Sequence, residues 1–352
     1  MNKPKKNISA FDAKSEAQRI AFAPMIFQTV HCLLKFKVFE VFKTEKNGCS
    51  FDVLKTRTGI SAYGLQVLLE MAETGNVIYK QNDQYFLTKT GYFLANDPMT
   101  KVNFGFVQDV CYQGLFHLDK SIETGRPEGL KVFGNWPTIY DGLSQLPEKA
   151  KESWFLFDHF YSDDSFDEAL KIVFQNNPKH ILDIGGNTGK WTKRCCNYNA
   201  EVKMSIVDLP GQIAVAKQNV LDWKLADRVE FVPCNILTTT TQLPQADVVW
   251  MSQFLDCFSP AEIKKIVKHV VESIDQTSDV YIMETFWDNQ SHQAASLSLA
   301  ATSLYFTAMA NGNSKMYGES EFVEILESAG LKIVNRYNKV GISHSILHCQ
   351  KN

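Results

Sequence analysis

Residues 181–191 read ILDIGGNTGKW. A short apolar strand carrying one acid, Asp183, runs straight into Gly185, Gly186, Asn187, Thr188 and Gly189 before helix-forming residues resume. Glycines at such a junction let the backbone turn tightly and come close to a ligand. In an open parallel sheet that ligand lies outside the carboxyl end of the strand, where the strand order reverses. Asp183 sits inside the apolar run, where a bare carboxylate is costly to bury. It is therefore expected to accept hydrogen bonds from the loop or to face a cationic ligand.

Working outward, a second acid, Asp208, ends the next strand in IVDLP, 25 residues after Asp183. An acid at that place binds ribose hydroxyls. The loop is GGNTG rather than GxGxxG, which favours a ligand without a pyrophosphate. A third strand end carries Asn235 and Ile236 in FVPCNIL. The Asn235 amide can donate to and accept from an adenine edge, with Ile236 against the ring; the alternative is that Asn235 only caps the strand.

The rest of the chain sets these motifs in an α/β frame. From about residue 175, short β-rich runs (HILDIG, VKMSIVDL, RVEFVPCNI, ADVVWMSQF, DVYIMETF) alternate with helices, one of them capped by Ser259 with Pro260 at its first position. That alternation predicts a parallel sheet covered on both faces. The runs LKIVNRYN and SHSILHC read as a closing antiparallel pair. Before residue 175 the pattern is mainly helical. SFDVLKTRTGI and SAYGLQVLLEMAETG read as two helices, the second with Ser61 as N-cap and Gly75 as C-cap. NVIYKQNDQYFLT reads as a hairpin turning at Asn82-Asp83. Helix, helix, hairpin is the winged-helix order. The expected division is a disordered leader over 1–14, a winged-helix domain over 15–100, an aromatic-rich helical linker over 101–174 and the α/β domain over 175–352.

Composition narrows the function. At 352 residues, 45% hydrophobic and 21% charged, the chain has ample material for two folded domains. A net charge of −3 argues against a general nucleic-acid or membrane binder. The candidate recognition helix, 61–75, has no Lys or Arg with which to reach phosphates. No apolar run is long enough to span a bilayer. The 8 cysteines are scattered without zinc spacing, so no metal is expected and reduced cytoplasmic thiols are the simple reading.

With these residues in place, the chain resembles the small-molecule O-methyltransferases of plants and bacteria. LTKTGYFLAND is similar to that family's wing and SIETGRPEGLKVFG to its linker. LDIGGNTG, VDLP and VPCNIL are similar to its cofactor motifs in order, and GESEFVEILESAGLKIV to its late helix and strand. The resemblance implies a Rossmann-like class I methyltransferase domain after an all-α/winged-helix dimerisation domain, and hence a homodimer. It implies S-adenosylmethionine as cofactor and a small aromatic or polyketide-like hydroxyl as acceptor. Gly185 and Gly186 would meet the methionine moiety, Asp208 the ribose, and Asn235 with Ile236 the adenine. Asp183, Asn187, Leu209, Ser252 and Gln253 complete the expected cofactor set.

The acceptor half departs from the family. Where the family has His in the turn after the fourth strand, this chain has Asp256 in FLDCFS, followed by Cys257 and Phe258. An ordinary Asp is a weak base for a phenol, by about six pKa units, although burial raises it. Asp256 is thus the candidate base and Glu284, in IMETF, the residue that orients it. His159, His292 and His344 are other possible bases. His159, Trp154, Tyr305 and Met309 are the candidate substrate-facing residues. The missing His also opens a second reading, a cofactor-binding relative that decarboxylates or hydroxylates.

Overall fold

The computed structural model describes residues 8–45 and 47–352. Two compact units divide between Gln108 and Asp109.

In the first unit, helices span Ala10–Ala21, Ala23–Lys35, Val38–Thr44, Phe51–Thr58 and Ala62–Thr74, followed by strands β1 (Ile78–Gln81) and β2 (Gln84–Leu87) and helices Lys89–Asn96 and Pro98–Phe106. The local signals act as read. Gly59 stops its helix at φ 69°, and the Ser61 hydroxyl accepts from the Gly64 N–H at 3.1 Å. Asn82 and Asp83 both take positive φ, the backbone that a two-residue hairpin turn requires. Cys49 bridges Tyr85 and widens the hairpin. Leu33, Phe39, Leu54, Leu65, Leu69 and Ile78 form the core of this unit. The leader is shorter than expected. Residues 1–7 lie outside the described residues, but residues 10–14 belong to a helix whose first turn is capped by Ser9, which accepts from the Asp12 N–H at 3.1 Å.

The second unit holds a seven-stranded sheet: β3 (His180–Ile184), β4 (Lys203–Asp208), β5 (Val229–Pro233), β6 (Val248–Ser252), β7 (Asp279–Glu284), β8 (Leu331–Val340) and β9 (His344–Lys351). The spatial order is β5-β4-β3-β6-β7-β9-β8. Strands β3 to β7 are parallel; β9 runs antiparallel to β7, and β8 to β9. The order reverses beside β3, between β4 and β6, so the switch point falls at the end of ILDIG.

Alternate residues of each strand feed two apolar layers. Leu182, Ile184, Val249, Ile282 and Leu347 enter one; Ile181, Ile206, Val248, Trp250 and Tyr281 enter the other. The segment expected as a linker belongs partly to this unit. Its 26-residue helix, Glu148–Val173, brings Phe166, Ala169 and Leu170 into the second layer. The C-terminal half of that helix packs on the sheet because Phe166, Ala169, Leu170 and Val173 fall on one helical face. Among the described residues, no helix is long and apolar enough to cross a membrane.

Truncating a side chain in the central strand leaves a cavity that parallel neighbours cannot collapse to fill. Leu182→Ala is expected to lower unfolding free energy by about 3 kcal/mol, read from the shift of a urea midpoint at unchanged slope.

Candidate active site

The carboxyl ends of β3, β4 and β6 converge on two cavities, of ≈ 300 Å³ and ≈ 80 Å³. Gly185 turns at φ 76° and donates its N–H to the Val207 carbonyl at 2.8 Å. A Cβ there would stand 2.3 Å from the Phe254 ring. A Cβ on Gly186 would stand 2.8 Å from both Asp183 Oδ2 and Ile206 Cγ2. Both glycines are thus demanded by close approach.

Asp183 is 2% exposed and accepts from the Thr192 hydroxyl at 2.9 Å. Burial, with the Asp208 charge added, pushes its pKa up to about 7, against the pull of the Thr192 hydrogen bond. Asp208 takes the Asn187 N–H on Oδ2 at 2.8 Å and the Leu209 N–H on Oδ1 at 2.7 Å. Each oxygen keeps a lone pair for a hydroxyl. The larger cavity is lined by Asp208, Leu209, Asn235 and Ile236. Asn235 also caps its turn, Oδ1 accepting from the Leu237 N–H at 3.0 Å. The capping role is thus present, in a residue that also lines the cavity. The smaller cavity is lined by Asp183, Gly186 and Ser252. Gln253, at φ 46°, lines both cavities.

Three buried oxygens here have no hydrogen-bond partner in the protein: Asn187 Oδ1, Thr188 Oγ1 and Gln253 Oε1. The indole N–H groups of Trp191 and Trp250, which line the smaller cavity, are unpartnered as well among the described residues; buried polar atoms are nearly always satisfied, so this wall fits a ligand that carries donors together with an acceptor. A ribose, an ammonium and an adenine edge supply them.

The acceptor half is arranged differently from expectation. Asp256 is buried (5% exposed) and lines neither cavity; its neighbour Cys257 lines the larger one and sets its thiol 3.5 Å from Asp256 Oδ1. Burial lifts Asp256 to about 6, opposed by the Cys257 hydrogen bonds. Glu284 (1% exposed) accepts the Phe254 and Leu255 N–H groups on Oε1 at 3.1 and 2.9 Å and so fixes the turn. Burial, then the Asp256 charge, holds its pKa well above the usual carboxyl range.

Trp154 lines the larger cavity and donates Nε1–H to the Tyr305 hydroxyl at 2.7 Å. Tyr305 itself stands behind that wall, 6% exposed. Met309 is fully buried, and its sulfur occupies the space that a Cβ on Gly114 would need. It is core rather than substrate-facing, because the helix turns it towards that glycine. His159 lines only the smaller cavity and stacks on Phe155 at 5.8 Å. Burial, then Lys190, lowers its pKa. His344 is buried against Ser165 at 2.8 Å, and burial drops it to about 4. The residue that sequence reasoning passed over is Asp158, one position before His159, which lines both cavities. Helical phase alone could have flagged it, since Trp154, Asp158 and Tyr161 share one face.

A twisted parallel sheet with a Gly-rich turn after its first strand and an acid ending its second defines the class: an S-adenosylmethionine-dependent methyltransferase. The chain belongs to the O-methyltransferase family, whose O-methyltransferase domain profile matches residues 148–332. A Dimerisation2-like domain matches residues 14–85. The L-tyrosine C(3)-methyltransferase of Streptomyces lavendulae is 20% identical over 316 residues, covering 88% of this chain and 85% of its own. In fold, the chain is similar to the mitomycin 7-O-methyltransferase MmcR, with TM-score 0.73 at 18% identity over 97% of this chain and 98% of that one. It is also similar to an O-methyltransferase (NcsB1) from neocarzinostatin biosynthesis, solved with S-adenosylmethionine and a naphthoic acid, with TM-score 0.69 at 18% identity over 93% and 96%. These relatives are methyltransferases and lend no support to decarboxylation or hydroxylation.

Two expectations follow. Gly185→Ala places a Cβ in left-handed backbone and against Phe254, so S-adenosylhomocysteine should bind about tenfold more weakly; an unchanged calorimetric Kd would contradict the geometry. The second concerns pH. Asp158 and Asp183 sit near 7 and Asp256 near 6. In the unfolded chain they titrate near the ordinary value of about 4. Between these limits the folded protein holds protons that the unfolded chain has released, so stability falls as pH rises through the window. The melting temperature of the ligand-free protein should drop from about pH 5.5 to about pH 8, and Asp158→Asn should remove part of that drop.

Proposed function

We propose that this protein transfers the methyl group of S-adenosylmethionine to a hydroxyl on a small aromatic acceptor. The observation that carries this reading is the ≈ 300 Å³ cavity, which runs from Asp208 and Asn235 to a wall containing Tyr140, Trp154 and Phe254. One end has the polar groups for a nucleoside, and the other has flat apolar surfaces for a ring.

The cofactor supplies an electrophilic methyl on a sulfonium. The chain's own residues then have five tasks. Asp208 accepts from the ribose hydroxyls, and Asn235 with Ile236 holds the adenine. Gly185 and Gly186 let the backbone approach the methionine moiety, beside the unsatisfied Asn187, Thr188 and Gln253 oxygens. Leu209 and Ser252 close the wall near the two strand ends. Glu284 is a positioning residue: by gripping the Phe254 and Leu255 N–H groups it sets the turn that presents Phe254 and Cys257 to the acceptor. Alignment and exclusion of water do most of the catalytic work in such a displacement.

A homodimer formed through the first unit fits the Dimerisation2-like match. Cytoplasmic residence fits the 8 free cysteines.

Labelled cofactor incubated with a panel of small phenols is expected to label the ether-extractable product, with the new methyl on oxygen by NMR. A methyl found on ring carbon in every product would replace the oxygen acceptor with a carbon one. Asp208→Asn should weaken S-adenosylhomocysteine binding by about tenfold or more, equal to about 1.4 kcal/mol. Unchanged affinity would remove Asp208 from the ribose.

A further inference from the structure

The two cavities share Asp158, Gly185, Asn187 and Gln253 among their lining residues. The smaller continues from them to Asp183 and Lys190, the larger to Asp208 and the aromatic wall. Under the cofactor reading above, on which this inference rests, the methionine end belongs to the first and the nucleoside and acceptor to the second. The reacting sulfur then lies where they meet.

Asp158 is the carboxylate at that meeting point with acceptor capacity to spare. The larger cavity is also lined by Asp141, Asp208 and Glu262, but none of these lines the smaller one. Asp141 accepts the Thr138 N–H and hydroxyl at 3.1 and 2.8 Å. Glu262 accepts the Ser259 N–H and hydroxyl at 2.9 and 2.6 Å. Asp208 holds the two N–H groups described above. Among the described residues, Asp158 receives the long 3.4 Å contact from Asn187 Nδ2, with His159 Nδ1 at 3.7 Å, and 28% of its side chain is open.

No Lys, Arg or His lines the larger cavity among the described residues. The charged and titratable groups that act on Asp158 are Asp163 and His159 from its own helix, Lys190 from the helix after the glycine loop, Asp256 from the turn after β6, and Tyr305 from its late helix. Lys190 is already paired to Asp163 at 2.7 Å. The near charges are thus mostly negative, a setting that favours either a proton or a cationic partner on Asp158.

We propose that Asp158 pairs its carboxylate with the cofactor's sulfonium and, as that charge is lost, accepts the proton of the acceptor hydroxyl. In that step a lone pair on the acceptor oxygen forms the new C–O bond. The C–S bond breaks with both electrons left on sulfur, and the hydroxyl proton moves to an Asp158 oxygen. The positive charge that kept Asp158 ionised disappears in the same event that frees the proton. This supplies a base where the family's histidine is missing, and Asp256, one layer behind Cys257, raises the proton affinity of Asp158. Burial, then the Asp256 and Asp163 charges, brings Asp158 up to about 7 in the ligand-free protein, with Lys190 opposing.

The test needs no acceptor. The full-length protein is titrated calorimetrically with S-adenosylmethionine and with S-adenosylhomocysteine at about pH 7, in two buffers of different ionisation enthalpy. The sulfonium lowers the Asp158 pKa, so S-adenosylmethionine should release protons on binding. The neutral thioether buries the carboxyl without compensating it, so S-adenosylhomocysteine should release none or take protons up. Asp158→Asn should make the two ligands alike in proton count. Asp256→Asn, which keeps Asp158, should reduce the release seen with S-adenosylmethionine. Equal proton counts for both ligands in the unaltered protein would overturn the proposal, as would a difference that survives Asp158→Asn. Failure of the unaltered protein to bind either ligand would instead sink the cofactor reading, and this inference with it.

Discussion

The site depends on an acid buried in a strand. Asp183 lies mid-sheet between Leu182 and Ile184, where a carboxylate cannot reach water, and it is held by one hydroxyl, Thr192. That contact ties the end of β3 to the first turns of the helix at Lys190–Tyr198. The loop between them must then pass over the carboxylate at a distance that only glycine tolerates: a Cβ at Gly186 would meet Asp183 Oδ2 at 2.8 Å. The same loop delivers the Asn187 N–H to Asp208 on the next strand. One desolvated carboxylate thereby fixes the turn, and the turn shapes the wall between the two cavities.

The second organising pair is Glu284 with the turn after β6. Its Oε1 gathers two N–H groups that would otherwise be orphaned in the core, and this determines which side chains of FLDCFS face inward. Phe254 swings over Gly185, Cys257 reaches the cavity, and Asp256 is drawn into the interior. Asp256 is thereby turned away from both cavities. The carboxylate that lines both cavities comes instead from the long helix Glu148–Val173. Acids clustered in low dielectric raise one another's proton affinity, so the enzyme holds a reserve of protonatable groups near neutrality without any histidine lining the larger cavity.

The fold was largely legible in the chain. ILDIGGNTG, IVDLP and FVPCNIL mark strand ends whose chemistry is local: apolar runs that make strands, glycines that make the turn, an acid or amide at each exit. The Ser61 and Ser259 caps and the Asn82-Asp83 hairpin follow from the same short-range rules. The expected domain boundary at residue 14 falls inside the helix Ala10–Ala21, and the expected linker shares residues with the second apolar layer, because which core a helix enters is a long-range matter.

What the sequence by itself determined, then, is the set of strand-end motifs: Gly185, Gly186, Asp208 and Asn235 sit within a few positions of strand ends, and local backbone chemistry places them. Only the tertiary structure decided the acceptor half. Asp158, Trp154, Cys257 and Phe254 come from segments about a hundred residues apart, and which of them face the cavity depends on long-range packing. Asp256 and His159 looked like the chemistry-bearing residues because residue type is visible in a sequence. Direction is not: one step along a helix or a turn rotates a side chain from cavity to core, and burial, not identity, then sets its proton affinity.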